Sequence, residues 1–331
     1  MPKVSVIIPN YNYARFLGQR LESVLRQTLS DLEIVYLDDA STDNSREVLA
    51  AFLPDRRIRV FSNEANSGSV FRQWNRGLRH CRGEYVWIAE ADDYAEPRFL
   101  ATLVDRLDRH PEIGLAYCQS WNVDEAARIL GSNRAYTDGL DRERWQRDYI
   151  APGSEEVSHA LIFMNTIPNA SAAVFRRRLA RQIGGADATL RLSGDWLMWV
   201  RIALASGVAF TAEPLNYYRS HGRSVRSATE RNGLWIEEMA RIMALAYPQV
   251  NMPPEGRDRL REHFWKIWSG ACNPWEIPLR RHWRIYRWAR TFAPGIGRRA
   301  AGGALRLAWR ARAKSLATCL LALTTFPRRE S

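Results

Sequence analysis

The chain is poor in the features that would place a protein outside the cell or across a membrane. Its 331 residues hold four cysteines, Cys81, Cys118, Cys272 and Cys319, which are far apart and match no zinc spacing. That pattern points to a reduced, cytoplasmic protein rather than a disulfide framework. The opening MPKVSVIIPN has no signal-peptide segment, because its short apolar run stops at Pro9. No stretch reaches the roughly 18–20 apolar residues that a membrane span needs. Also absent are a G-x-x-x-x-G-K-[ST] phosphate loop and a G-x-G-x-x-G turn after a strand. No internal repeat or low-complexity segment is present.

Negative charge is scarce toward the C-terminus. The net charge of +12 is uneven: arginines stand at 280, 281, 284, 287, 290, 298, 299, 306, 310, 312, 328 and 329, with Glu330 alone opposing them. Such asymmetry suits nucleic acid, an anionic lipid surface, or simply a solvated basic face.

What is abundant is apolar sequence, 46% of the chain, enough for one large α/β domain with an appendage or for two modest domains. The first 120 residues alternate strands and helices. Strands are predicted at Val4–Ile8, Glu33–Leu37, Ile58–Phe61, Tyr85–Ala89 and Gly114–Cys118. Helices are predicted over Phe16–Gln27, Ser45–Phe52 (capped by Thr42 or Asp43), Ser69–His80 and from Pro97 to Arg109. This alternation predicts a mostly parallel sheet flanked by helices. Residues 120–220 are less regular, with a helix over Gly194–Ser206 and then a turn-rich AEPLNYYRSHGRS. Beyond about residue 228 the pattern is helical and rich in tryptophan.

In parallel sheets ligands bind beyond the carboxyl ends of the strands. Polar residues gather there: Asn10, Tyr11 and Asn12 after the first strand, Asp38 and Asp39 after the second, Glu90, Asp92 and Asp93 after the fourth. Three carboxylates so close do not all ionise cheaply without a counter-charge. A hard divalent cation, Mn²⁺ or Mg²⁺, would answer that, taking one or two carboxylates and completing its shell with water and phosphate oxygens. A solvated acidic loop capping the next helix is the other reading.

The stretch VSVIIPNYNYARFLGQRLESVLRQTLSDLEIVYLDDASTDNS, then NSG, GEYVWIAEADD, NTIPNASAAVFRR, GDWLMW and YYRSHGRS, resembles a family 2 glycosyltransferase with the GT-A fold, over roughly residues 2 to 225. The resemblance implies a Rossmann-like catalytic domain over 1–227. Its nucleotide-binding half would be 1–120 and its acceptor half 121–227, with a helical, Trp/Arg-rich extension over 228–331. It also implies that Pro9, Asn10 and Tyr11 line a base and ribose pocket and that Asp39 accepts a hydrogen bond from the base, with Asp38 orienting the turn. Glu90, Ala91 and Asp92 fall on the family's metal-binding D-x-D positions, where Glu90 replaces the usual aspartate. Asp92 is then the direct metal ligand, Asp93 its support, and His221 a group that reaches metal or diphosphate. Arg72 is assigned to the diphosphate.

By the same resemblance Asp195 is the catalytic base, although the preceding position, often acidic in relatives, is Gly194 here. Taken alone, Asp195 equally suits an N-cap, and His221 a polar turn. Asn169 and Ser171 form a chance glycosylation sequon in a segment assigned to the acceptor pocket. The implied activity is non-processive, inverting transfer of a sugar from a nucleotide-diphosphate donor, a UDP-sugar foremost. The acceptor is a saccharide or a lipid-linked hydroxyl, in surface polysaccharide or glycolipid assembly. Nucleic acid is disfavoured by the acidic strand ends.

Two rivals stand beside this activity, a metal-dependent sugar nucleotidyltransferase and a non-enzymatic polyanion binder. Processive relatives carry membrane spans and Q-x-x-R-W, and this chain has neither. Finally, Leu305, Arg306, Trp309, Arg310, Lys314, Leu316, Leu320 and Leu323 suggest a basic amphipathic helix. It would either sit peripherally on the cytoplasmic face of an anionic membrane or dock on the catalytic domain.

Overall fold

A computed structural model of the chain describes residues 1–167, 169–221, 232–270 and 277–297. The arginines from 298 onward, Cys272, Cys319 and the helix expected around 305–323 lie outside the described residues.

The first half builds as its periodicity predicts. Strands β1 (Val4–Asn10), β2 (Leu32–Asp38), β3 (Ile58–Ser62) and β4 (Tyr85–Ile88) alternate with helices α1 (Ala14–Leu25), α2 (Ser45–Ala50) and α3 (Val70–His80). β1 pairs in parallel with β2 and β4, and β2 with β3. Their near-continuous apolar runs are those of strands covered on both faces. Val4, Val6 and Ile8 enter one core with Leu17 and Leu21, whereas Ile7 enters the other with Trp74 and Leu78.

After the two-residue strand β5 (Tyr94–Ala95), helix α4 (Phe99–Arg109) starts two residues past Pro97 and leads into β6 (Ile113–Val123). Strand β7 (Ile129–Ser132), helix α5 (Arg134–Thr137), strand β8 (Tyr149–Pro152) and helix α6 (Gly153–Glu156) follow. Next come β9 (Ala173–Arg176), α7 (Arg177–Gln182), α8 (Gly194–Leu204) and β10 (Gly207–Arg219). Together the strands make one ten-stranded sheet, ordered β3-β2-β1-β4-β9-β6-β10-β5, with β7 on β6 and β8 on β10.

β10 corrects the sequence reading. Most of the segment expected to be turn-rich, Ala212–Arg219, is strand, paired in parallel with β6 and antiparallel with β5. The register slips around Pro214, between Thr211 and Asn216. A proline has no N–H for the ladder and is accommodated at such irregularities. The bulged strand then carries Arg219 to the edge where the acidic residues gather.

Three further helices follow: α9 (Leu234–Ala246), α10 (Pro254–Gly270) and α11 (Leu279–Ala289). Ile236, Met239, Phe264, Ile285 and Phe292 bury into the same cluster as Phe175 and Trp199. The helical extension thus shares its core with the sheet.

Helix α8, which carries Asp195 near its start, ends against Gly153. A Cβ on Gly153 would fall onto the carbonyl oxygens of Ala203 and Ser206, backbone atoms with no rotamer to yield. Gly153→Ala is therefore expected to cost about 3 kcal/mol, the upper part of the overpacking range. In urea unfolding this appears as a lower midpoint at unchanged slope.

Candidate active site

The strand ends converge at one edge of the sheet. Asn10 closes β1, and its side-chain amide donates to Ser41 Oγ at 3.0 Å. Asn12, at φ 60°, accepts the Thr42 N–H at 2.7 Å and the Asp43 N–H at 3.2 Å. The loops after β1 and β2 are thereby laced together. Asp43, one of the two caps expected for α2, accepts from the Ser45 N–H at 3.0 Å and the Ala14 N–H at 2.9 Å. Pro9 lies buried inside β1, whereas Tyr11 is exposed at the loop.

Asp38 is half-buried and caps its own turn through the Ser41 N–H at 3.3 Å. Asp39 is 5% exposed. Its Oδ1 accepts from Asn63 Nδ2 (2.5 Å), the Ser67 N–H (2.9 Å) and Gln73 Nε2 (2.7 Å), and its Oδ2 from Ser67 Oγ (2.8 Å). Asp39 thus organises the loop leading into α3. Arg72 lies on the exposed side of that helix and donates to the Ser67 carbonyl at 3.1 Å.

The acidic triplet sits on a turn in which the Asp93 N–H bonds the Glu90 carbonyl at 3.2 Å. Its counter-charges are built into the protein. Arg20, on α1, is completely buried. Its Nε donates to the Glu90 carbonyl at 2.8 Å and its Nη2 to Ser171 Oγ at 3.1 Å, with the guanidinium over the Trp87 ring. Burial pulls this guanidinium down to about 10 against the opposing pull of Asp93, Asp92 and Glu90, so it stays protonated at neutral pH.

Arg219, at the end of β10, closes the other side. Its N–H donates to Asp93 Oδ1 at 2.9 Å, its Nε to the Asp92 carbonyl at 2.7 Å and its Nη2 to Gln19 at 2.6 Å.

The three carboxylates are consequently unlike. Glu90 Oε1 accepts from Trp74 Nε1 at 2.8 Å. Burial, then the Asp92 charge, pushes its carboxyl up to about 8. Asp93 is 2% exposed, and burial raises it as well, with Asp92 adding and Arg20 opposing. Asp92 keeps a partly open carboxylate, its Oδ2 2.9 Å from His221 Nε2. That bond holds the imidazole above the usual histidine range. His221 also packs edge-on against Tyr13.

Asp195 approaches the triplet through two routes. Its Oδ2 accepts from Asn165 Nδ2 at 2.8 Å. Ser171, later in the same stretch of sequence, has an Oγ that accepts the Glu90 N–H at 3.1 Å. Along the other route, Phe71 packs edge-on against Trp74, and a Cβ on Gly194 would meet the Phe71 ring at 2.7 Å. The missing acidic side chain at 194 thus has a steric reason. Asp195 is in the first turn of α8, behind Ser193 as N-cap. Asn169 meets Asn216 Nδ2 at 3.3 Å.

Glu238, on α9, is a residue that the sequence reading missed. It is 4% exposed and accepts the backbone N–H groups of Arg191 (2.7 Å), Leu192 (3.0 Å) and Ser193 (2.8 Å). The extension thereby fixes the loop that delivers Asp195. Arg20 was missed too. In both cases the signal is a charged residue inside an apolar helical stripe: Leu17, Leu21 and Val24 flank Arg20, and Met239 and Ile242 flank Glu238.

Residues 5–183, just over half the chain, match the family described as Glycosyl transferase family 2. An uncharacterized glycosyltransferase of Nostoc sp. is 31% identical over 233 residues, 66% of this chain and 65% of that protein. GlyG, a glycosyltransferase of Streptococcus pneumoniae, is 34% identical over 139 residues, 42% of this chain and 44% of GlyG. The chain thus matches just under two thirds of the first relative and less than half of the second.

Among solved structures, S. aureus TarS in complex with UDP-GlcNAc superposes with a TM-score of 0.66 at 18% identity, covering 88% of this chain and 80% of the other. The Pyrobaculum calidifontis mannosyltransferase PcManGT, solved with GDP-Man and Mn²⁺, gives 0.58 at 23% identity, covering 92% and 81%. At these identities the likeness is one of fold.

Two substitutions test the site's framework. Arg20→Met removes the buried cation but keeps its bulk, leaving the Glu90 carbonyl and Ser171 Oγ without their donor, and is expected to cost about 1–3 kcal/mol at neutral pH; chemical unfolding reads it. Glu238→Gln turns an NH₂ donor toward backbone N–H groups. Its expected cost is about 1–3 kcal/mol, with faster amide exchange at Arg191, Leu192 and Ser193 while β1 stays protected.

Proposed function

Because this chain belongs to glycosyl transferase family 2 and has the GT-A fold, we propose that it transfers a sugar from a nucleotide-diphosphate donor to an acceptor hydroxyl. The observation that carries this is the unequal burial of the acidic triplet: Asp93 is buried and tied down, whereas Glu90 and Asp92 stay half-buried at the strand-end edge. Asp92, paired with His221 at 2.9 Å, keeps a partly open carboxylate there, while Arg20, Arg219 and Trp74 hold the turn around it. A hard divalent ion binds through one or two protein carboxylates and takes its remaining oxygens from diphosphate and water. A partly open carboxylate next to an imidazole fits that habit. No group of three or more ligating side chains occurs among the described residues, which suits an ion shared with its substrate.

Asp92 and His221 would hold Mn²⁺ or Mg²⁺, with Asp93 buttressing the turn. The ion's contribution when bound is Lewis-acid neutralisation of the departing nucleoside diphosphate. The remaining steps belong to the chain. Asp39 Oδ2, which takes one hydrogen bond from Ser67, keeps acceptor capacity for a base N–H. Pro9, Asn10 and Tyr11 would border that position, and exposed Arg72 would be the cation for the diphosphate. Asp195, oriented by Asn165, would take the acceptor's proton as its oxygen attacks the anomeric carbon from the side opposite the leaving group, with inversion. General-base assistance of this kind supplies about 10²–10⁴ in rate.

A UDP-sugar is the donor we favour, since TarS, which shares the fold, is solved with UDP-GlcNAc. The acceptor is a saccharide or a lipid-linked hydroxyl in surface polysaccharide or glycolipid assembly, met by a protein peripheral to a membrane.

Nucleotide release from a panel of nucleotide sugars with Mn²⁺ tests the reading. Asp195→Asn is expected to lower turnover by about 10²-fold or more while leaving Mn²⁺-dependent UDP binding intact. Asp92→Asn is expected to abolish both. Full turnover by Asp195→Asn would remove it as the base, and release of pyrophosphate instead of nucleoside diphosphate would reassign the reaction.

A further inference from the structure

Helix α11 (Leu279–Ala289) has two unlike arginine sets. On the inner side Arg281 Nε and Arg284 Nε meet the Glu237 carboxylate at 3.0 and 2.7 Å, beside buried Ile285 and Ala289. On the outer side Leu279 is 86% exposed and Trp283 58% exposed. Arg280, Arg287 and the following Arg290 are exposed too. Positions 279/280, 283, 287 and 290 recur at helical spacing, so they form one stripe. The Arg287 guanidinium lies over the Trp283 ring, 4.9 Å from its centroid. The segment 279–290 contains no acidic residue, and no ion pair involves Arg280, Arg287 or Arg290 among the described residues.

From this stripe we infer that the outer face of α11 is a docking surface for an anionic lipid bilayer. The chemistry is complementary on both counts. Indole and leucyl groups favour the headgroup boundary, and guanidinium groups pair with lipid phosphates there. Arginine beside tryptophan keeps its charge while shielding the ring from water until the surface is met. The inner arginines, which share the Glu237 carboxylate, hold the helix on the protein and leave the outer ones for the partner.

Covering by the chain's own C-terminal segment is disfavoured by charge, since residues 298–331 carry eight basic side chains against one acidic. This rests on the reading above only for its purpose, access to a lipid-linked acceptor. Vesicle binding is measured apart from sugar transfer.

The experiment is co-flotation of the full-length protein with phosphatidylcholine vesicles, with and without phosphatidylglycerol. Wild type is expected to float only with phosphatidylglycerol present, and less so as salt rises. Arg280→Gln and Arg287→Gln should each weaken partitioning about fivefold, and Trp283→Ser about tenfold. All three should retain wild-type circular dichroism and wild-type nucleotide release. Unchanged flotation of all three variants would overturn the proposal. So would a dimer that Trp283→Ser splits while vesicle binding persists, which would assign the face to a second copy. Flotation that responds as expected in a protein with no transferase activity supports the docking face and removes the catalytic reading alone.

Discussion

The site depends on a buried arginine facing three carboxylates. Without Arg20, the turn 90–93 would hold Glu90, Asp92 and Asp93 against one another in a place where burial already penalises the Glu90 and Asp93 charges. Arg20 binds the turn's backbone through the Glu90 carbonyl and reaches across to Ser171. It therefore ties α1, the end of β4 and the segment before β9 at one point. Arg219 does the same from β10, gripping the Asp92 carbonyl, Asp93 and the 124–125 carbonyls. The crowding that suggested a missing metal is answered first by the protein. In the function proposed above, an incoming cation would meet the Asp92 carboxylate and its histidine neighbour.

That division of labour has a functional consequence. A site whose carboxylates all waited for a metal would collapse or rearrange without one. Here the turn is held whether or not donor is present, so binding need not reorder it. Preorganisation of this kind favours oriented attack. The same logic extends to Asp195, which is fixed from three directions. Asn165 orients the carboxylate, Phe71 closes on Gly194 behind it, and Glu238 anchors the loop in front of it. Because Glu238 and Glu237 are neighbours on α9, the helix that steadies the loop before Asp195 also holds α11. Helix α9 thus steadies the loop that carries Asp195 and is not only an attachment.

Much of this was legible in the sequence. Apolar runs located β1 to β4, and the rule that ligands gather at strand carboxyl ends brought Asn10, Asp39 and the acidic triplet to one edge before any coordinates. The resemblance set Asp92 apart from Asp93 by its motif position, but the physical cause of their difference, the Arg219 N–H on Asp93 from more than a hundred residues away, was not legible. β10 was misread as turns. Its Pro214 and polar residues look like loop chemistry in one dimension, while in three they are a bulged strand between β6 and β5. Arg20 and Glu238 did leave a trace, as lone charges on apolar helix faces. Local pattern alone cannot say whether such a charge faces solvent or a buried partner.

The central proposal is that Asp92, of the three carboxylates and with His221 beside it, receives the metal from a turn already held by Arg20 and Arg219. Anomalous scattering from crystals grown with Mn²⁺ and UDP tests it most directly. The expected result is a single manganese peak between the Asp92 carboxylate and the diphosphate, next to His221, with the Arg20–Glu90 and Arg219–Asp93 hydrogen bonds intact. Manganese ligated instead by Glu90 or Asp93, with those bonds broken, would contradict it.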